Sequence, residues 1–213
     1  DLFPELCRIE NVSVKKADLS ETFPFDDESM DISICQEGIE HVGNQNFVFN
    51  EFSRILKPGG KLILTTPNYS KIKSRLSYLL TESESFNRIM PPNEIESIWL
   101  NTQDDDRLYF GHVFLTGITR LRLFGKLAGL ELKKIHDTKV NHTSLLYFPI
   151  LYPFILLSSY RTYRRFVRKK GNKELAKEVF KMMISPKVLL ENHLLLEFEK
   201  VESSSEAIRK IKS

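Results

Sequence analysis

The chain has 213 residues, 41% of them apolar and 28% charged, with a formal net charge of +3 at pH 7. That is enough for one sizeable core, so one domain is the default. Two cysteines, Cys7 and Cys35, rule out a disulfide framework and fit a reducing, cytoplasmic compartment; no secretory signal, fixed-period repeat or bilayer-length apolar run stands out.

In chain order, residues 1–4 begin no recognisable element and read as the end of a strand already finished, so the chain is expected to be cut from a longer protein. Residues 5–11 are short for a helix and suit a single turn or a loop. Residues 12–19, with β-branched side chains at Val12 and Val14, predict a strand ending in Asp18 and Leu19. Phe23, Pro24 and Phe25 form an apolar anchor before a solvated acidic turn at Asp26, Asp27 and Glu28. Ile32, Ile34 and Cys35 predict a strand buried on both faces that delivers Gln36, Glu37 and Gly38 at its carboxyl end. Val48, Phe52, Ile55 and Leu56 then line one side of a helix, which Lys57-Pro58-Gly59-Gly60 stops in a tight turn. Leu62, Ile63 and Leu64 supply the next buried strand, closed by Thr65, Thr66, Pro67 and Asn68. Two parallel strands joined by one helix make a right-handed βαβ unit, and ligands of such sheets sit beyond the carboxyl ends of the strands.

Glu40-His41, the Lys57–Gly60 turn and Thr66-Pro67-Asn68, in this order and spacing, resemble the second half of a class I S-adenosylmethionine-dependent methyltransferase. The resemblance runs over residues 1–201 and grows diffuse beyond Thr138. It implies an α/β, Rossmann-like sheet, truncated at its N-terminus, with the last strand antiparallel and inserted beside residues 61–66. It also implies a cofactor site for S-adenosylmethionine. Asp1 matches the acidic residue that holds the ribose hydroxyls. Asp18 and Leu19 match the adenine-binding strand end, the alternative for Asp18 being that it only caps the following turn. Gln36 and Glu37 would line the sulfonium side. His41 and His112 match positions near the methyl acceptor, where either could act as base, or His41 could serve only to fix its loop. The nine glycines show no G-x-G spacing, so the family's glycine-rich loop is not found. Glu37, Glu40 and His41 lack a second histidine at ligand spacing, so no metal is expected.

Residues 69–110 read as an insertion, with a helix over 71–80 whose face is Ile72, Leu76 and Leu79, and with Trp99, Tyr109 and Phe110 either lining an acceptor pocket or forming a small core. Thr116 is the expected cap of a helix ended by Gly129, and residues 130–137 give a strand. A second insertion, residues 143–173, joins the apolar run 145–157 to Arg161, Arg164, Arg165, Arg168, Lys169, Lys170 and Lys173, so that the remaining residues sum to −4. At thirteen residues the run is short for a transmembrane helix, and Pro149 and Pro153 argue against one smooth helix. An interfacial anchor on an anionic membrane, a packed core segment and a homodimer surface all remain open for it. Residues 194–201 alternate as a half-wet strand, and 202–213 read as a frayed polar tail.

The expected function is methyl transfer from S-adenosylmethionine to a small or lipid-linked acceptor, at oxygen on the resemblance alone, by a cytoplasmic enzyme, free or attached to a membrane surface; the chain by itself is expected to bind the cofactor weakly or not at all. A non-catalytic scaffold of the same fold is the alternative. Nucleic acid is not an expected substrate, because the basic charge is confined to one segment.

Overall fold

The computed structural model describes residues 4, 13–83, 93–100 and 108–212. In order the elements are β1 (Met30–Gln36), a 3-10 turn (Ile39–His41), α1 (Gln45–Ile55), β2 (Leu56–Pro67), α2 (Ile72–Thr81), α3 (Glu94–Ser97), β3 (Ile98–Leu100), β4 (Leu108–Phe110), α4 (Ile118–Leu127), β5 (Leu130–His136), α5 (His142–Lys170), α6 (Lys173–Met183), α7 (Pro186–Leu190), β6 (His193–Lys200) and α8 (Ser204–Lys212).

The main sheet has the order β1-β2-β6-β5, and β3 pairs with β4 as a separate ribbon. β1 and β2 are parallel, with Ile34 opposite Ile63 and Cys35 opposite Leu64, as their joining helix requires. β6 runs antiparallel to both β2 and β5, with Leu62 opposite Phe198 and Leu132 opposite Phe198 on its other side. The expected adjacency of 31–36 with 61–66, and the antiparallel last strand beside the latter, are therefore both present. α1 covers one face because Val48, Phe49, Phe52 and Ile55 meet Leu62, Leu64, Leu196 and Phe198, all buried. Phe49 sits edge-on to Phe198 at 5.5 Å between ring centroids.

Several expectations change. Residues 13–18 are not a strand; within the described residues no strand lies beside them to complete their backbone hydrogen bonds. β1 is an edge strand among the described residues, so Ile32 (59% exposed) and Ile34 (69%) are not covered, while Ser33 and Cys35 face inward. The Lys57–Gly60 segment is not a turn ahead of the strand but an outward loop within β2: the register passes from Met30–Leu56 to Ile32–Lys61, and Gly59 takes φ +78°. The cap of α4 is Gly117, not Thr116, whose hydroxyl donates to the Phe114 carbonyl; Ser70 Oγ instead accepts from Ile118 N. Leu79 in α2 is exposed, and Ser74 and Ser77 take the buried face with Ile72.

The acidic turn at 26–28 is docked, not simply solvated. Arg54 donates to Glu51, to Asp27 and to the carbonyls of Phe23 and Phe25, and Glu51 accepts from Phe23 N. That hydrogen bonding with Arg54, first of all, holds the Glu51 carboxyl below its ordinary value of 4.5. The tail is also ordered: Ser203 N donates to Glu206 and Glu206 N to Ser203 Oγ, a reciprocal cap that starts α8 and lets Ala207 bury.

α5 is one helix of 29 residues, about 43 Å long. Pro149 and Pro153 lie inside it, four apart on one side, where their lost donors leave carbonyls that water can satisfy. Asn141 caps it, Ser144 is buried under Lys73 N, and Asn141 N donates to the Leu190 carbonyl. Its far end packs on α6, which Glu178 ties back to Arg122 of α4 at 2.6 Å.

Candidate functional site

The carboxyl end of β1 opens into a cavity of about 930 Å³. Asp18, Leu19, Gln36, Glu37, Gly38 and His41 all line it, so five of the site residues expected from sequence come together; Asp1 lies outside the described residues. Local chemistry places each one. Asp18 Oδ1 accepts from both Ser20 N and Ser20 Oγ, closing a turn that aims residues 17–20 at the strand end. Leu19 then packs on Gly38, where a Cβ would stand 3.0 Å from Leu19 Cδ1. Asp18 thus caps its turn and also lines the cavity.

Glu37 leaves the strand with φ +47°, a conformation unusual outside glycine, and is held there because its N–H donates to the Thr65 carbonyl and hydroxyl. Its carboxylate faces His193 at 3.7 Å. Cys35, just before, is a buried thiol pushed up to about 12, by burial first and then by the Glu40 charge, so it stays protonated at neutral pH.

Tyr109 and Phe110 close the cavity on the other side, as the insertion reading allowed; of Trp99 only the backbone is described. The segment after β4 is fastened to the Glu40-His41 turn. Phe114 N donates to the Glu40 carbonyl, Gln45 donates to the carbonyls of Ile39 and Phe114, and Phe110 and Phe114 pack edge-on. His41 Nδ1 lies 2.7 Å from the Phe110 carbonyl, to which it donates. This docking brings exposed His112 beside half-buried His41, ring centroids 5.0 Å apart. Glu40 beneath them is fully buried; its Oε2 accepts from Thr66 and its Oε1 meets no donor. Burial, above all, raises the Glu40 carboxyl above its ordinary value. No second histidine stands at ligand spacing from Glu40 and His41 in the sequence, but tertiary structure brings His112 beside them.

Residues 3–64 match the family model described as a methyltransferase domain. No curated protein sequence matches the chain. Among solved structures, an S-adenosylmethionine-dependent methyltransferase from Thermotoga maritima is similar with a TM-score of 0.50 at 16% identity, over 92% of this chain and 68% of that one. The methyltransferase bound to the Trm112 activator of Haloferax volcanii matches with a TM-score of 0.43 at 15% identity, over 93% and 66%. A Galdieria sulphuraria protein described as a sarcosine dimethylglycine methyltransferase candidate matches at 0.41 and 15%, over 90% and 60%. The chain thus spans about two thirds or less of the length of the latter two.

Proposed function

We propose that this chain, whose fold is that of a class I methyltransferase domain, serves in the transfer of a methyl group from S-adenosylmethionine to an oxygen of a small or lipid-linked acceptor. The observation that carries this reading is the cavity at the carboxyl end of β1, where Asp18, Leu19, Gln36 and Glu37 converge. Its volume lies within the roughly 300–1,000 Å³ of small-molecule sites. Gly38 leaves its wall open where any side chain would press on Leu19. Leu19 offers an apolar face suited to a purine ring, and Asp18 a carboxylate beside it. When bound, S-adenosylmethionine supplies a sulfonium-activated methyl group for in-line displacement. The chain's own contribution is placement: Gln36 and Glu37 at the strand end, and Tyr109 and Phe110 as apolar wall. His41 on the cavity wall and His112 beside it, ring centroids 5.0 Å apart, are the residues this reading sets near the acceptor.

The exposed helix α5 supports a membrane-borne acceptor. By length and composition it could cross a membrane, and only 11% of its most apolar stretch is buried. The thirteen-residue limit inferred from the sequence is therefore too short, because the helix continues through Ser158 and Ser159. Its return leg supports lying flat over crossing: α6 carries Lys173, Glu174, Lys177, Glu178 and Lys181 and is tied to α4, so a crossing would draw these charges into hydrocarbon. Leu146, Ile150 and Phe154 can enter the acyl boundary of a cytoplasmic leaflet while the basic end of α5 meets anionic headgroups.

Calorimetric titration of the full-length protein with S-adenosylmethionine and S-adenosylhomocysteine tests the cofactor site. Binding that Gly38→Val weakens is expected; heats that the substitution leaves unchanged refute the placement. Sedimentation with anionic vesicles tests α5, and binding should fall with salt and on exchanging Arg164, Arg165 and Arg168 for glutamate. Absence of binding to any vesicle would leave α5 as a surface between protein copies.

A further inference from the structure

We infer that Glu40, His41 and His112 form a binding site for a divalent transition-metal ion at the rim of the cavity. One ligand atom from each of the three lies within 4.8 Å of the others. Two ligands at about 2.1 Å from one ion stand at most about 4.2 Å apart. Closing the site therefore takes a contraction of several tenths of an ångström, which the exposed His112 side chain can supply by rotating.

An independent observation points to a ligand there. Glu40 is fully buried, and while Oε2 accepts from Thr66, Oε1 has no hydrogen-bond partner. Proteins rarely leave a buried carboxylate oxygen unmatched, and a cation provides the match. The surroundings are also those of a metal-bound imidazole: His41 donates from Nδ1 to the Phe110 carbonyl, which fixes the ring and puts the lone pair of the neutral tautomer on Nε2. The hydrogen bonds from Phe114 N to the Glu40 carbonyl and from Gln45 to the Phe114 carbonyl hold the two ligand-bearing segments together, so the set is supported from behind.

Two imidazoles and one carboxylate suit Zn²⁺, Mn²⁺ or Co²⁺ better than Ca²⁺ or Mg²⁺, which favour oxygen ligands. Three protein ligands leave at least one position for an oxygen donor, and His41 lines the cavity, so that position adjoins the acceptor side. In this arrangement His41 is a ligand and not the general base. Only the role of the ion rests on the methyltransferase reading; its binding does not.

The test is titration of tag-free protein with Co²⁺ alone, without cofactor, followed by visible ligand-field absorption and by calorimetry. One equivalent should bind, and His112→Ala and Glu40→Gln should each weaken it by roughly tenfold or more. His112 is exposed, so its variant should keep the wild-type urea midpoint, which separates lost ligation from lost folding. The chain's other histidines, His136, His142 and His193, are untouched by these changes and report adventitious binding. No ligand-field absorption, or equal absorption in wild type and His112→Ala, overturns the site. Either result leaves the cofactor reading standing, because that is measured by a different ligand at Gly38.

Discussion

The β1–α1–β2 unit and helix α5 are both rich in apolar side chains, yet they spend them oppositely. In the first, Val48, Phe49, Leu62 and Leu64 are buried to within 0% exposure; in the second, Leu146 (69%) and Phe154 (68%) face outward. Apolar content alone therefore says little about where a segment sits. What distinguishes the two is connectivity: α1 is clamped between strands that hydrogen-bond to each other, whereas α5 touches the domain at its ends and along α2, α6 and α7.

The contrast can be broken by truncating one side chain in each. Phe49→Ala should cost about 3–5 kcal/mol in urea unfolding, because a buried ring is lost and a cavity left. Next in size, Arg54→Ala should cost about 3 kcal/mol, since it strands the nearly buried Glu51 and releases residues 23–27. The same pair sets an acid limit. Glu51 has a depressed folded-state value, so its contribution is complete above 4.5 and is lost as pH falls through that depressed value. Stability measured downward from pH 5 should therefore fall in wild type and fall less in Arg54→Ala; parallel curves would show that Glu51 is not the responsible group. Ser203→Ala should cost about 1 kcal/mol by removing the cap of α8. Smallest of all, Phe154→Ala should change stability by no more than about 0.5 kcal/mol while reducing vesicle binding. A loss near that of Phe49→Ala would mean that α5 is covered, and the contrast between the two regions would fail.

The regions also differ in how far their sequences disclose them. In the βαβ unit, periodicity is local: Val48, Phe52 and Ile55 recur on one helical face, and the polar ends of both strands follow directly from the apolar runs. Gln36, Glu37 and His41 were legible for that reason. α5 was legible in composition but not in shape, because prolines that disfavour an isolated helix are tolerated where their orphaned carbonyls face solvent. α8 carried its signal openly, as serine at 203 and glutamate at 206 ahead of Ala207, and was missed only because the surrounding residues are polar. The pairing of His112 with Glu40 and His41 had no local signal. It depends on a backbone contact between Phe114 and Glu40 made by distant parts of the chain, which no spacing rule encodes.

The position of β6 has a consequence for how the molecule is made. It is the last strand in order yet lies between β2 and β5, so neither of those edges is satisfied until residue 200 is available. On the ribosome β1, α1 and β2 can associate early, since their contacts are close in sequence. β5 must then wait through the synthesis of α5, α6 and α7, more than fifty residues, for its only partner in the sheet among the described residues. Such long-range pairing is slow, and it leaves Leu62, Leu64 and Leu130 without their strand neighbours meanwhile. Insertion of one central strand, late and from the carboxyl side, is thus the step at which this sheet becomes a single cooperative unit.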